Sequence, residues 1–297
     1  HFTSISFITK MKNLTNLFGV KEVPSDTCLR KRLDEIPAHN LRIAFKKIFA
    51  LMQRGGLLEQ YRYLDNYYIL SIDGTGQYSS ANINCDNCCE KHHHNGQVTY
   101  YHHMLGAAIV HPEHKTVIPL APEPIIKHDG KTKNDCERNA SKRLLQQLRI
   151  EHPHLKIIIV EDSLSSNHPH LALLDQLHME YIIGVKAGDH EYLFDSIKHA
   201  KPTIFTYLDD KKIKHEFSCY YSMPINYEHY DYTVNILMYT ETTSKGKVTN
   251  WSWVTKLPLT EENVFKIMRA ARARWRIENE TFNTLKNQGY NFEHNYG

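Results

Sequence analysis

Tyr67-Tyr68-Ile69-Leu70-Ser71-Ile72-Asp73-Gly74-Thr75-Gly76 decides how the chain is read. It is a short apolar run that stops at a carboxylate followed by turn chemistry, the pattern of a buried strand. A second run has the same form: Ile157-Ile158-Ile159-Val160-Glu161 leads to Asp162 and then Ser163. A carboxylate one step past a buried strand stands at the sheet's edge, where open sheets collect ligands. Asp73 and Asp162 are therefore read as strand-end acids. A third acid, Glu278, lies in a basic helical stretch that reads RARWRIENETFNTLKNQGY from Arg272 to Tyr290.

Two strand-end aspartates and a helix-borne glutamate can hold two divalent ions roughly 3.5–4 Å apart, which activates a water or sugar hydroxyl and stabilises the leaving oxygen on phosphorus. Mg²⁺ suits such a site because it is a hard cation that takes carboxylate oxygens and keeps several waters. The competing reading of any single acid is a solvated strand end or a helix salt bridge. The three together favour the metal-site reading.

At 297 residues the length prior is about two domains. Apolar content of 41% and charged content of 23% are those of a core-forming globular protein. The longest strongly apolar stretch, Met104 to Val110, is too short to span a bilayer, so no membrane partner is expected. No secretory signal precedes the six cysteines, which favours a reduced cytoplasmic setting over a disulfide framework. The chain starts at His1 without an initiator Met, and an incomplete N-terminus is expected. Net charge is only +3, but Lys266, Arg269, Arg272, Arg274, Arg276 and Lys286 face only Glu278 and Glu280. A basic stripe on a helix is the footprint of a phosphate-backbone reader.

Residues 1–65 read as helical, with Ser25 or Asp26 as a cap and Pro37 as a stop. Their basic residues, Arg30 to Arg32 and Arg42 to Arg54, allow a DNA- or dimer-contacting element, with plain packing as the alternative. Strands are expected up to Asp73, over Val98–Val110, and over Thr116–Ile126 near an edge because of its prolines. A polar Cys/His-rich loop separates the first two. A helix follows from a capping box at Asn134 and Glu137 to Arg149, with Ala140, Leu144, Leu145 and Leu148 on its apolar face. Then come a strand ending at Asp162, a helix opened by Pro169, a strand over Tyr181–Lys186 and a short helix to Lys198. Residues 202–255 are rich in Tyr, Thr and Trp and read as a β-rich insertion. A helix is expected from near Glu261 to about Asn287. The order β-β-β-α-β-α-β-α matches a ribonuclease H-like mixed sheet flanked by helices, assembled from 66–201 and 256–297.

With IDGTG (72–76), VEDSL (160–164) and RWRIE…LK (274–278, 285–286) in place, most of the chain resembles bacterial insertion-sequence DDE transposases. The resembling branch has a Tyr-Arg-Glu-Lys signature and a β-strand insertion. The resemblance implies hydrolysis at the ends of a mobile element and strand transfer of the freed 3′-hydroxyl into target DNA. It implies Mg²⁺, with Mn²⁺ as substitute, held by Asp73, Asp162 and Glu278. It also implies phosphate contacts from Arg274 and Lys286, a homodimer on DNA, and a bacterial, nucleoid-associated location. A catalytically silent or truncated remnant that only binds DNA is the alternative. The signature's Tyr falls on Ala271, and Lys286 lies eight residues past Glu278 where the signature has seven. Glu280 would be the acid in another register, but Arg274 and Glu278 are i, i+4 neighbours sharing a helix face. Glu280 sits about 200° round from Glu278 at 3.6 residues per turn.

Two features remain. Trp251 and Trp253 precede the last helix, and relatives use an insertion aromatic to stack a DNA base; packing is the competing reading. Cys85-x2-Cys88 has zinc-ligand spacing, with His92, His93, His94, His102 and His103 behind it. No second CxxC follows, so reduced surface cysteines beside a solvated His run are expected, with structural zinc as the alternative.

Overall fold

The computed structural model describes residues 16, 19, 25–130, 133–290, 292 and 293. Two compact units divide the chain at Ala44/Phe45. In the first, helix α1 (Asp26–Asp34) is capped by Ser25, whose hydroxyl accepts from the Cys28 N–H at 3.2 Å. Helix α2 (Arg42–Arg54) ends where Gly56 takes a left-handed φ of 71°. In the second unit Phe49 is buried and packs on the His152 ring, with ring centres 4.3 Å apart. The side chain of Asn134 lies outside the described residues, and with it the expected capping box.

The second unit is built on an 11-stranded sheet. Its centre has the order β5 (Ile118–Ile125), β4 (Val98–Val110), β2 (Tyr67–Ser80), β6 (Ile157–Glu161) and β7 (Glu180–Gly184). The β2–β4 and β4–β5 pairs are antiparallel; β2–β6 and β6–β7 are parallel. This is the ribonuclease H-like arrangement. The short strands β1 (Arg62–Tyr63) and β3 (Cys89–His92) pair with β2 and β4. Residues 202–255 supply β8 (Thr203–Leu208), β9 (Lys214–Pro224), β10 (Thr233–Thr242) and β11 (Val248–Thr255). They continue the same sheet edge-on, because β11 pairs antiparallel with β7.

Side-chain alternation along the strands sorts the core into two layers. Leu70, Ile72, Ile157 and Ile159 pack against α3 (Lys133–Glu151), α4 (His168–Gln176) and α5 (Glu191–Lys198) through Ala140, Leu144, Leu148, Leu171, Leu174 and Leu193. Ile69, Ile158 and Val160 pack on the opposite face against α6 (Val264–Arg272), through Val264, Ile267 and Met268. Asn167 caps α4 by accepting from the His170 N–H at 3.2 Å, with Pro169 in the first turn. No helix among the described residues is long and apolar enough to cross a membrane.

Three sequence expectations change. β2 does not stop at Asp73 but runs on to Ser80 against β4, and β3 occupies part of the expected polar loop. Gly74 and Gly76 lie within β2 rather than in a turn, and a Cβ at Gly74 would meet the Glu137 carboxylate at 3.3 Å. On β2's other edge, the parallel ladder with β6 closes at Ser71↔Val160. Asp73 thus sits past the end of the parallel pairing although its own strand continues. The helix expected over about 261–287 is helical throughout from Val264, but its hydrogen-bond ladder is broken: α6 passes into a 3₁₀ turn at Ala273–Trp275, a π-helical turn at Ile277–Phe282, and α7 (Asn283–Asn287).

Candidate active site

Asp73 shares the sheet face of Ile69 and Ser71, and that face is covered by the broken C-terminal helix. Two contacts hold the break. The buried Ser71 hydroxyl donates to the Arg274 carbonyl at 3.0 Å, fastening the helix to β2 just before the π turn. Gly106 stands opposite Asp73 in the β2–β4 register, and a Cβ there would fall 2.7 Å from the Phe282 ring. Bare backbone at Gly106 lets Phe282 seat directly on β4. With Ile277 fully buried beside it, the π segment has a fixed inner side. π turns recur where helices position functional groups, and this one carries Glu278.

Arg274 joins the carboxylates. Its Nη1 donates to Asp73 Oδ2 at 2.9 Å and to Glu278 Oε1 at 3.2 Å. Asp73 Oδ1 accepts from the Gly74 N–H at 2.9 Å. Burial, then the hydrogen bond to Glu278, push the Asp73 carboxyl up to about 7 from its ordinary 3.8, with Arg274 pulling the other way. Glu280, two residues on, faces a different groove, lined by Arg269, Arg272, Trp275 and Arg276.

Asp162 follows the last residue of β6 and caps a 3₁₀ turn, Ser163–Ser165, accepting from the Leu164 N–H at 2.9 Å. It is exposed, and it lines one cleft with Asp73, Glu137, Arg138 and Ser141. Behind it the buried Glu161 pairs with His170 at 2.6 Å, which fixes the end of the strand. Asp73 thus meets Glu278 through Arg274, and it lines a small cleft with Asp162. The three do not converge on one point. The donors are hard carboxylate oxygens, the kind that divalent cations such as Mg²⁺ take.

The remaining residues singled out in the sequence are placed as follows. Lys286 is mostly buried and pairs with Glu293 at 2.5 Å. Ala271, at the signature's Tyr position, is buried in the core beneath α6. Trp253 is only 7% exposed, packed in the same core on the central strand β11. A stacking face must be accessible, so the base-stacking expectation for Trp253 is corrected to packing. Trp251 is half-buried, stacked on Tyr239 with centres 5.3 Å apart and covered by Arg272 at 4.7 Å. The accessible tryptophan is Trp275, 56% exposed, with the Arg274 guanidinium 5.5 Å from its ring. Its signal was the Arg-Trp-Arg at 274–276, read only for charge. Cys85 is exposed but Cys88 is buried, and both converge with His102, contrary to a surface pair beside a solvated His run.

A family model described as "Transposase DDE domain" matches residues 69–297. No curated protein matches the chain. Among solved structures, a piggyBac transposase synaptic complex with hairpin DNA is similar over 88% of this chain and 48% of that one, at 12% identity and a TM-score of 0.40. The chain spans about half the length of that protein. Since the family match runs from β2, which carries Asp73, through the π turn that carries Glu278, the chain belongs to the DDE transposase family.

Proposed function

We propose that this chain is the catalytic core of a transposase that hydrolyses phosphodiesters at the ends of a mobile element and joins the freed 3′-hydroxyl to target DNA. The observation that carries this reading is the Arg274 bridge from Asp73 to Glu278, with Asp162 in the same cleft as Asp73. Asp73, Asp162 and Glu278 would hold Mg²⁺, or Mn²⁺ in its place; the bound ions would lower the pKa of the attacking water and carry charge on the leaving oxygen. The chain's own part is positioning. Ser71, Gly106 and Phe282 fix Glu278 against the sheet, and the turn at 163–165 fixes Asp162.

Arg274 holds two acids together. Its planar fork suits a phosphate once those acids are otherwise neutralised. Lys286 would act as a point charge, exchanging Glu293 for the DNA backbone. Trp275 offers an exposed ring beside these groups for base stacking. Two element ends have to be held together, so the working form on DNA is a homodimer.

The test is cleavage and strand transfer of DNA carrying the element's end sequences, in Mg²⁺ or Mn²⁺, comparing wild type with Asp162→Asn. Metal-dependent products that vanish in the variant support the reading. Salt-sensitive DNA binding without products would replace it with that of a DNA-binding remnant.

A further inference from the structure

We propose that Cys85, Cys88 and His102 form a zinc site that fastens the 81–88 loop to strand β4. The Cys85 and Cys88 sulfurs are 3.7 Å apart, and each lies 3.3 Å from His102 Nε2. A tetrahedral zinc with Zn–S of about 2.3 Å and Zn–N of about 2.0–2.1 Å sets ligand separations of about 3.8 Å and about 3.6 Å. The observed triangle has nearly those edges. It forms the one group of three or more such ligands within 4.8 Å of one another among the described residues. Thiolate and imidazole donors select zinc over the hard cations suited to the carboxylate cleft.

The fold builds this triangle from independent parts. The β2–β4 register shifts between Gly76 and Tyr78, a bulge that sets His102 opposite Tyr78 while His103 stays opposite Gly76. Leaving β2, the loop is shaped by Ser80, whose hydroxyl accepts from the Asn82 and Ile83 N–H groups at 3.1 and 3.0 Å. Tyr78 ties the loop back by donating to the Ile83 carbonyl at 2.7 Å. Returning into β3, Cys89 pairs with Tyr101, which brings Cys88 level with His102. Between the cysteines the backbone closes a turn, Cys88 N–H to the Cys85 carbonyl at 3.1 Å, and the Cys85 N–H donates to the Cys88 sulfur at 3.3 Å. A peptide donor aimed at a sulfur stabilises thiolate over thiol and orients the ligand. Two thiolates and a neutral imidazole balance the charge of Zn²⁺.

The experiment uses the full chain without an affinity tag, stripped with EDTA under reducing conditions and reloaded with Zn²⁺ or Co²⁺ alone. Neither readout needs DNA or activity, so the result is independent of the transposase reading. We expect about one zinc retained per chain after dialysis, tetrahedral thiolate–Co²⁺ absorption bands, and a Tm lowered by several degrees on stripping. Cys88→Ser and His102→Ala should lose the metal and the bands. Cys28→Ser, the other exposed cysteine, and His92→Ala should keep both. Wild type that retains no zinc and gives no Co²⁺ bands overturns the site, whatever the variants' folding. Full zinc retention by Cys88→Ser and His102→Ala overturns it as well.

Discussion

The carboxylate site and the Cys/His cluster are built on the same β2–β4 pair, yet their ligands are arranged in opposite ways. Asp73 and Gly106 face each other in one part of that ladder; Tyr78 and His102 do so further along it. In the Cys/His cluster every ligand atom is within 3.7 Å of the others, and the backbone already donates to sulfur. In the carboxylate site Arg274 bridges Asp73 and Glu278, Asp162 stands past the end of another strand, and burial raises the Asp73 carboxyl to about 7. Soft thiolate and imidazole donors suit zinc, whereas carboxylate oxygens suit hard cations. The contrast teaches that donor type and spacing together set which ion each part of the ladder suits.

The largest effects should separate the two sites completely. Asp162→Asn should lower DNA cleavage by about 10³-fold or more, the several kcal/mol expected for a lost metal ligand, and leave the Co²⁺ bands of the cysteine cluster intact. Cys88→Ser should remove the bands. If Asp162→Asn also removed them, the two sites would not be independent and the comparison would fail.

A smaller effect tests how the π turn is held. Gly106→Ala puts a Cβ 2.7 Å from the Phe282 ring. Overpacking at such a contact costs about 1–3 kcal/mol, readable as a lower urea midpoint. Cleavage should fall further than stability explains, because Glu278 rides on the displaced segment. Unchanged stability and activity would show that Phe282 does not fix the turn.

The smallest effect is electrostatic. The folded chain keeps a proton on Asp73 up to about 7, while the unfolded chain releases it near 3.8. The folded state therefore binds more protons between those values, and stability falls as pH rises through that window. Asp73→Asn should remove this fall, gaining about 1–2 kcal/mol at pH 8 relative to pH 5 once solvent screening of the 20% exposed side chain is allowed for. Added Mg²⁺ should stabilise wild type at pH 8 and not the variant. Parallel pH profiles of Tm for the two proteins would contradict this account of Asp73.

Much of the fold was legible because it rests on local signals. The apolar runs before Asp73 and Asp162 form the central parallel strands, and Leu144, Leu145 and Leu148 line the helix where periodicity placed them. What was not legible depends on distant contacts. Gly74 and Gly76 look like a turn until β2 is seen to run through them along β4, with Glu137 close against Gly74. The break in the last helix is set by Ser71 and Gly106, more than 150 residues away in sequence, and no helical periodicity encodes it. Trp253 reads as an aromatic beside the site, but its burial follows from β11 joining β7. His102 was one of several histidines, and only the bulge in β2 sets it beside the cysteines.

The most direct measurement compares wild type, Glu278→Gln and Glu280→Gln in Mg²⁺-dependent cleavage of DNA bearing the element's ends. The account predicts no cleavage by Glu278→Gln and activity within a few-fold of wild type for Glu280→Gln, because only Glu278 meets Asp73 through Arg274. Loss of cleavage in Glu280→Gln with Glu278→Gln active would contradict it.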